Sequence, residues 1–352
     1  MGRVPIILLA MLISLAAVHN PPSMAHSSET RAVVFMYHRF GEDRFPSTNI
    51  RIDQFEEQLE FLDNNGFTIM PLQGIVDALK NNTPLPDKAV AITIDDAYRS
   101  VYDEAYPRLK KRNFPFTVFV APQTVDEGIE AYMKWPQIGE MHRNGVTFAN
   151  HSLNHDYLVR RKNGESNASW AERVKKDIEK AQQRLQKELG AAPALFAYPY
   201  GEFNLELMDI VKDLGYTAFG QHSGSIGPLS NLTALPRFPV AEAFADITSF
   251  RTKALSLPMP VVQQDPVDPQ TTNRRPLLTV SLASTDASLE QLACYVGDNQ
   301  MRIQWVKPGE IFSIQTSNNL PPGRSRYNCT APSGTENRYY WYSHQWILPM
   351  NN

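Results

Sequence analysis

From Arg31 onward the chain alternates short apolar, β-branched runs with segments of helical period, unit after unit. "AVVFMY" reads as a strand. "DQFEEQLEFLDNNG" reads as a helix, with Asp53 as its N-cap, Phe55, Leu59 and Leu62 on one face, and Gly66 as the stop. The strand series continues through "FTIMPL", "AVAITI", "PFTVFVA", "VTFAN", "ALFAY", "TAFG" and "LPRFPV". Helical segments stand between them. In the longest, "WAERVKKDIEKAQQRLQKELG", Val174, Ile178, Ala181 and Leu185 share the inward face. Repeated βα units call for a parallel sheet with helices outside it. About seven or eight such units predict an α/β fold, a distorted and incomplete (β/α) barrel over residues 30–257.

Around Leu257 the texture changes. "LPMPVVQQDPVDPQTTNRRP" is rich in Pro and polar residues and has no period, which predicts a linker over 258–275. Residues 276–352 then show short strand-like runs punctuated by turn residues, the pattern of a small all-β sandwich. Its run Tyr339, Tyr340, Trp341, Tyr342 and Trp346 can offer a sugar-stacking face or fill a core with alternate members. The two cysteines, Cys294 and Cys329, both fall here. In an exported chain they suggest one disulfide; two buried thiols are the plainer alternative. Export is expected from residues 1–25, where Arg3 precedes an apolar run and "SMA" resembles a cleavage site. That run is too short to span a bilayer, so a periplasmic or secreted chain with no transmembrane span in its mature part is expected. The formal net charge of −3 and the lack of a basic block speak against nucleic acid as a partner.

Chemistry collects at the C-terminal ends of the parallel strands, where βα loops converge. Tyr37 and His38 end one strand and Asp95 and Asp96 another. His151, with His155 four residues on, Pro199, Tyr200 and Gly201, and Gln221 and His222 end three more. Two adjacent carboxylates repel unless a cation or shared proton relieves them, although Asp also serves plain turns. If the segment after "VTFAN" turns helical, His151 and His155 lie on one face and can share a metal. With one Asp oxygen they make a two-nitrogen, one-oxygen set of the catalytic zinc kind.

"TIDDA", "HSLNH" and "AYPYG", in this order and spacing, resemble the motifs of the polysaccharide deacetylases (NodB-type, carbohydrate esterase family 4). "MYHRF" and "PYGEFN" look closest to the branch acting on poly-N-acetylglucosamine. The resemblance implies a deacetylase barrel that removes N-acetyl groups from N-acetylglucosamine-containing polysaccharide, with Zn2+ or another divalent ion as cofactor. It implies Asp95 as general base, Asp96, His151 and His155 as metal ligands, and the Tyr200 N–H as oxyanion donor. Tyr37, His38, Pro199 and Arg237 are candidate substrate-binding residues. Two departures stand out. Ala197 occupies the place of the family's base-steadying Arg, a task open to Arg237. The family's acid motif is missing, which leaves His222, the preferred candidate, or His38. An O-acetyl esterase of the xylan type, or a polysaccharide-binding protein with a dead barrel, are the alternatives. Oligomeric state is not legible.

Overall fold

The computed structural model describes residues 2, 30–334 and 337–350. The leader assigned to residues 1–25 lies, apart from Gly2, outside them. Seven strands form a curled parallel sheet in the order Phe238–Pro239, Val33–Tyr37, Ala89–Asp95, Phe116–Val120, Thr147–Asn150, Leu195–Ala197 and Thr217–Phe219, and Thr68–Ile69 adds to Ala89–Asp95. The segment 235–239 nearly closes the curl. Gly220 N–H donates to Leu235 O (2.9 Å) at one end, and Phe238 pairs with Phe35 at the other.

Period-2 alternation sorts the strand residues. Val34, Ala91, Phe119, Ala149, Ala197 and Phe219 pack together on the inner face. Phe35, Ile92, Ile94, Val118 and Phe148 pack outward against the helices Ile52–Asn64, Trp135–Arg143 and Ile247–Ala254. The alanines Ala91, Ala149 and Ala197 leave room at the barrel centre for large polar side chains, and Thr93 and Asp95 continue the inward row of Ala91. Helix Asn167–Leu189 buries Trp170, Val174, Ile178, Ala181 and Leu185 along one stripe, as its sequence period predicts. One end differs from expectation. Helix Ile52–Asn64 has Arg51 as its N-cap, and Asp53 lies in the first turn, where Arg51 binds it.

The remainder forms two antiparallel sheets. One runs Leu257–Pro258, Tyr339–Leu348, Gly323–Pro332, Ala293–Val296, Asn299–Met301; the other runs Val261–Asp265, Leu277–Leu282, Ile311–Gln315, Ile303–Lys307. The linker expectation therefore needs correcting. Leu257–Pro258 pairs with Tyr339–Leu348, and Val261–Asp265 with Leu277–Leu282, so these residues are edge strands. Edge strands tolerate Pro, which is why composition misled here. Cys294 and Cys329 face each other on adjacent strands and are joined as a disulfide. Trp346 is fully buried in this core, and Trp341 packs edge-on against Phe238 of the barrel at 5.1 Å. Trp346 is therefore no sugar-stacking surface, whereas Trp341 is half-buried and also lines the cavity between the barrel and this module. Their alternation fills a core and a seam.

Candidate metal centre and catalytic site

Asp95 is the last inward residue of its strand, and its side chain has no solvent exposure. Arg237 meets it with two bonds, Nη1 to Oδ1 at 2.7 Å and Nη2 to Oδ2 at 2.8 Å. Arg237 Nε donates to Gly220 O (3.0 Å), and Nη1 also reaches Thr93 Oγ1 (3.2 Å). Burial alone would raise the Asp95 pKa. The Arg237 charge and bonds, with the His151 and His38 charges, outweigh it and hold the carboxyl below its ordinary range. Each carboxylate oxygen has a second lone-pair site, so the pair leaves Asp95 able to accept one more proton donor.

Asp96 stands just past the strand with φ +72°, and Ala97 follows at +56°. This left-handed step turns the second carboxylate out of the barrel interior. Its Oδ1 lies 3.4 Å from His151 Nε2 and 3.2 Å from His155 Nε2. Burial opposes the charge of Asp96, yet the two histidines and His38 keep its pKa far below the usual value.

The "HSLNH" segment is a loop, which corrects the helical expectation. Ser152 and His155 both take positive φ, +65° and +59°. Asn150 Oδ1 accepts from Ser152 N–H (2.9 Å), Ser152 Oγ from His155 N–H (3.0 Å), and Asn150 Nδ2 donates to Ile178 O (2.9 Å). These bonds fold the loop so that both rings converge, with centroids 4.7 Å apart. His151 Nδ1 sits 2.7 Å from Ala197 O, which leaves its buried Nε2 with no hydrogen-bond partner and aimed at Asp96. One ligand atom each from Asp96, His151 and His155 lies within 4.8 Å of the others. Two imidazole nitrogens, one carboxylate oxygen and a backbone-oriented histidine fit a divalent cation of the zinc type.

The loop has a further anchor with a pH signature. Asp177 accepts from Leu153 N–H at 2.9 Å, and burial pushes its pKa up to about 6 despite that bond. The ordinary value is about 3.9, so the folded state binds more protons between these values, and stability falls as pH rises from about 4 to about 6. Asp177→Asn keeps the acceptor and removes the titration. Its thermal midpoint should gain on the wild type between pH 4 and pH 7. A constant difference at both would show that Asp177 does not titrate in this window.

The remaining candidates separate. Tyr37 is fully buried, donates to Gln58 Oε1 (2.9 Å) and packs on Phe40 and Phe55, so it is core, not a substrate contact. Arg237 is equally buried and reaches Asp95, not solvent. His38 is half-buried and follows Tyr37, which pairs with Ile94, so it adjoins Asp95. Burial lowers its pKa, and the charges acting on it are those of Asp96, Asp95, Arg237 and His151. His222 is the histidine set apart. It contacts Phe203, burial with the Arg326 charge drives its pKa to about 3, and it lines the cavity of about 1040 Å³ between the barrel and the β module. That cavity is lined by none of Asp95, Asp96, His151 and His155. The preference for His222 as proton donor is corrected accordingly.

Pro199 is buried and opens the turn Pro199–Gly201, in which Tyr200 has φ +59°. Among the described residues no hydrogen bond uses the Tyr200 N–H. The Tyr200 ring lies 4.5 Å from His155 and stacks on Tyr157 at 3.7 Å. Tyr98 stacks on Tyr132 at 5.0 Å, and both feel the Asp96 charge. Sequence reasoning passed over Tyr98, Tyr132 and Tyr157. Only the nearness of Tyr98 to Asp96 in the chain hinted at them.

The family model for polysaccharide deacetylase matches residues 82–219. Poly-beta-1,6-N-acetyl-D-glucosamine N-deacetylase of Escherichia coli (strain K12) is 27% identical over 233 residues, covering 57% of this chain and 34% of its own length. The chain thus spans about a third of that relative. The enzyme of the same name from Staphylococcus aureus (strain MRSA252) is 26% identical over 245 residues, 63% of this chain and 83% of its own. Among solved structures, IcaB from Ammonifex degensii superposes with TM-score 0.54 at 28% identity, over 64% of this chain and 95% of that one. The Streptococcus pyogenes deacetylase PplD shares the fold, with TM-score 0.56 at 23% identity over 61% and 95%. Residues 82–219 of the parallel barrel thus match the polysaccharide deacetylase family model, and the barrel resembles these solved deacetylases in fold.

Proposed function

We propose that the chain is a metal-dependent hydrolase that removes N-acetyl groups from N-acetylglucosamine-containing polysaccharide outside the cytoplasm. The observation that carries this reading is the Arg237-held Asp95 beside the Asp96, His151 and His155 cluster. The named substrate of the Escherichia coli and Staphylococcus aureus relatives supports the choice of glycan. Among the described residues no helix is long and apolar enough to cross a membrane.

Asp96, His151 and His155 would hold the ion. Bound there, a zinc-type cation supplies Lewis acidity, polarising the acetamide carbonyl and acidifying water. Asp95 takes the proton from the attacking water, a role its ionised state permits. The water oxygen bonds to the carbonyl carbon, and the Tyr200 N–H donates to the developing oxyanion. His38, next to Asp95 at the barrel mouth, gives a proton to the nitrogen as the C–N bond breaks. Acetate and a free amine leave, and the proton on Asp95 returns to solvent or His38.

Acetate release from poly-β-1,6-N-acetylglucosamine, chitin oligomers, peptidoglycan glycan and acetylated xylan tests the reading, with metal content measured alongside. The wild type should release acetate from an N-acetylglucosamine polymer and carry about one equivalent of zinc. His151→Ala should lose both. Release from xylan alone would replace the reading with an O-acetyl esterase. Release from none, with no bound metal, would leave a binding protein.

A further inference from the structure

The β module does not simply follow the barrel. It grips the turn that presents the Tyr200 N–H. Arg324 Nη1 donates to Tyr200 O, and the same guanidinium lies 3.7 Å from the Glu202 carboxylate and 3.4 Å from Gln221 Oε1. Gln345 Nε2 donates to Gly201 O at 2.7 Å, and Gln345 is buried. Two consecutive carbonyls of one turn are thus held by two neighbouring strands of the other module, Gly323–Pro332 and Tyr339–Leu348.

Why the turn needs holding follows from its backbone. Tyr200 has φ +59° and Gly201 φ +68°. A non-glycine residue in this region costs energy that its surroundings must offset. Gly201 leaves no slack, because a Cβ there would sit 2.6 Å from Gln221 Cγ and 2.8 Å from Gln221 N. The Tyr200–Gly201 peptide is fixed at both ends, with its N–H on Tyr198 O (2.8 Å) and its C=O on Arg324. Fixing that peptide sets ψ of Tyr200, and with it the relation between the turn and the Tyr200 N–H.

We infer that Arg324 and Gln345 are positioning residues for the Tyr200 N–H, so that the β module completes the deacetylation site. The inference rests on the proposed function for its kinetic consequence and on geometry alone for its structural one.

The test uses the full chain with Arg324→Ala, Arg324→Lys and Arg324→Ala/Gln345→Ala. Arg324 is about one-third exposed, so its single variants should fold. Two readouts are taken: amide exchange of a peptide covering 199–204, and kinetics on a short acetylated N-acetylglucosamine oligomer. The double variant should exchange faster there and keep its metal. Its kcat should fall roughly tenfold to hundredfold with KM little changed, the size expected for a displaced oxyanion donor. Arg324→Lys, which retains a donor, should recover part of the loss. Unchanged exchange would overturn the inference, as would an unchanged kcat in an active protein. If the wild type releases no acetate, the functional reading fails, and exchange alone decides this one.

Discussion

Asp95→Asn should retain the metal and lower kcat by about 10²–10⁴-fold, the usual contribution of a positioned general base. The substitution is close to isosteric. Its amide oxygen still accepts one Arg237 bond, but the amide cannot take a proton from water. Asp96, His151 and His155 are untouched, so metal content separates loss of the base from loss of the cluster. The measurement is kcat on an acetylated oligomer beside elemental analysis. Full metal with a loss below about tenfold would move the base role to His38, a titratable group that adjoins Asp95 and is not one of the proposed metal ligands.

Arg237→Ala should cost about 3–5 kcal/mol of stability, because it strands a fully buried carboxylate. Both partners have no solvent exposure, and the pair is bidentate. Denaturant unfolding measures the effect. The double variant Arg237→Ala/Asp95→Asn should be more stable than Arg237→Ala alone, since the uncompensated charge is gone. Activity should shift too. Without the Arg237 charge and bonds, only the His151 and His38 charges oppose burial, so the Asp95 pKa rises and the acidic limb of kcat/KM moves to higher pH. A cost below about 1 kcal/mol, the range of an exposed pair, would contradict the buried geometry.

Arg237 also marks a boundary in what a sequence discloses. It lies 142 residues from Asp95. Its neighbours in "LPRFPV" do not mark it for the base, although its candidacy for that task could be read from the vacancy at Ala197. What brings it to Asp95 is the near-closure of the barrel by 235–239, which is a property of the curled sheet. His222 and His38 were equal by local pattern, both polar at strand ends. The sheet sets them apart: His38 extends the strand paired with Ala89–Asp95, whereas His222 lies past strand Thr217–Phe219 and lines the cavity beside the β module.

The loop "HSLNH" shows the same division. Its residue types and spacing suffice to suggest shared coordination. The helix expected to achieve it is absent, and left-handed residues held by Asn150 and Ser152 do the work instead. Local pattern determines which groups are available; side-chain bonds to the loop backbone determine where they point.

From its sequence alone this chain is committed to parallel βα units, because continuous apolar runs must be buried on both faces and amphipathic helices can cover them. The same sequence places acids and histidines at strand ends, since parallel strands bring their ends to one rim whatever the loops do. Tertiary structure alone decided that Trp346 is core and Trp341 a seam, that Leu257–Pro258 and Val261–Asp265 are strands, and that Arg324 and Gln345 reach the Tyr200 turn. Those outcomes depend on contacts between distant segments, and one period of alternation is compatible with either face until the partner surface is in place.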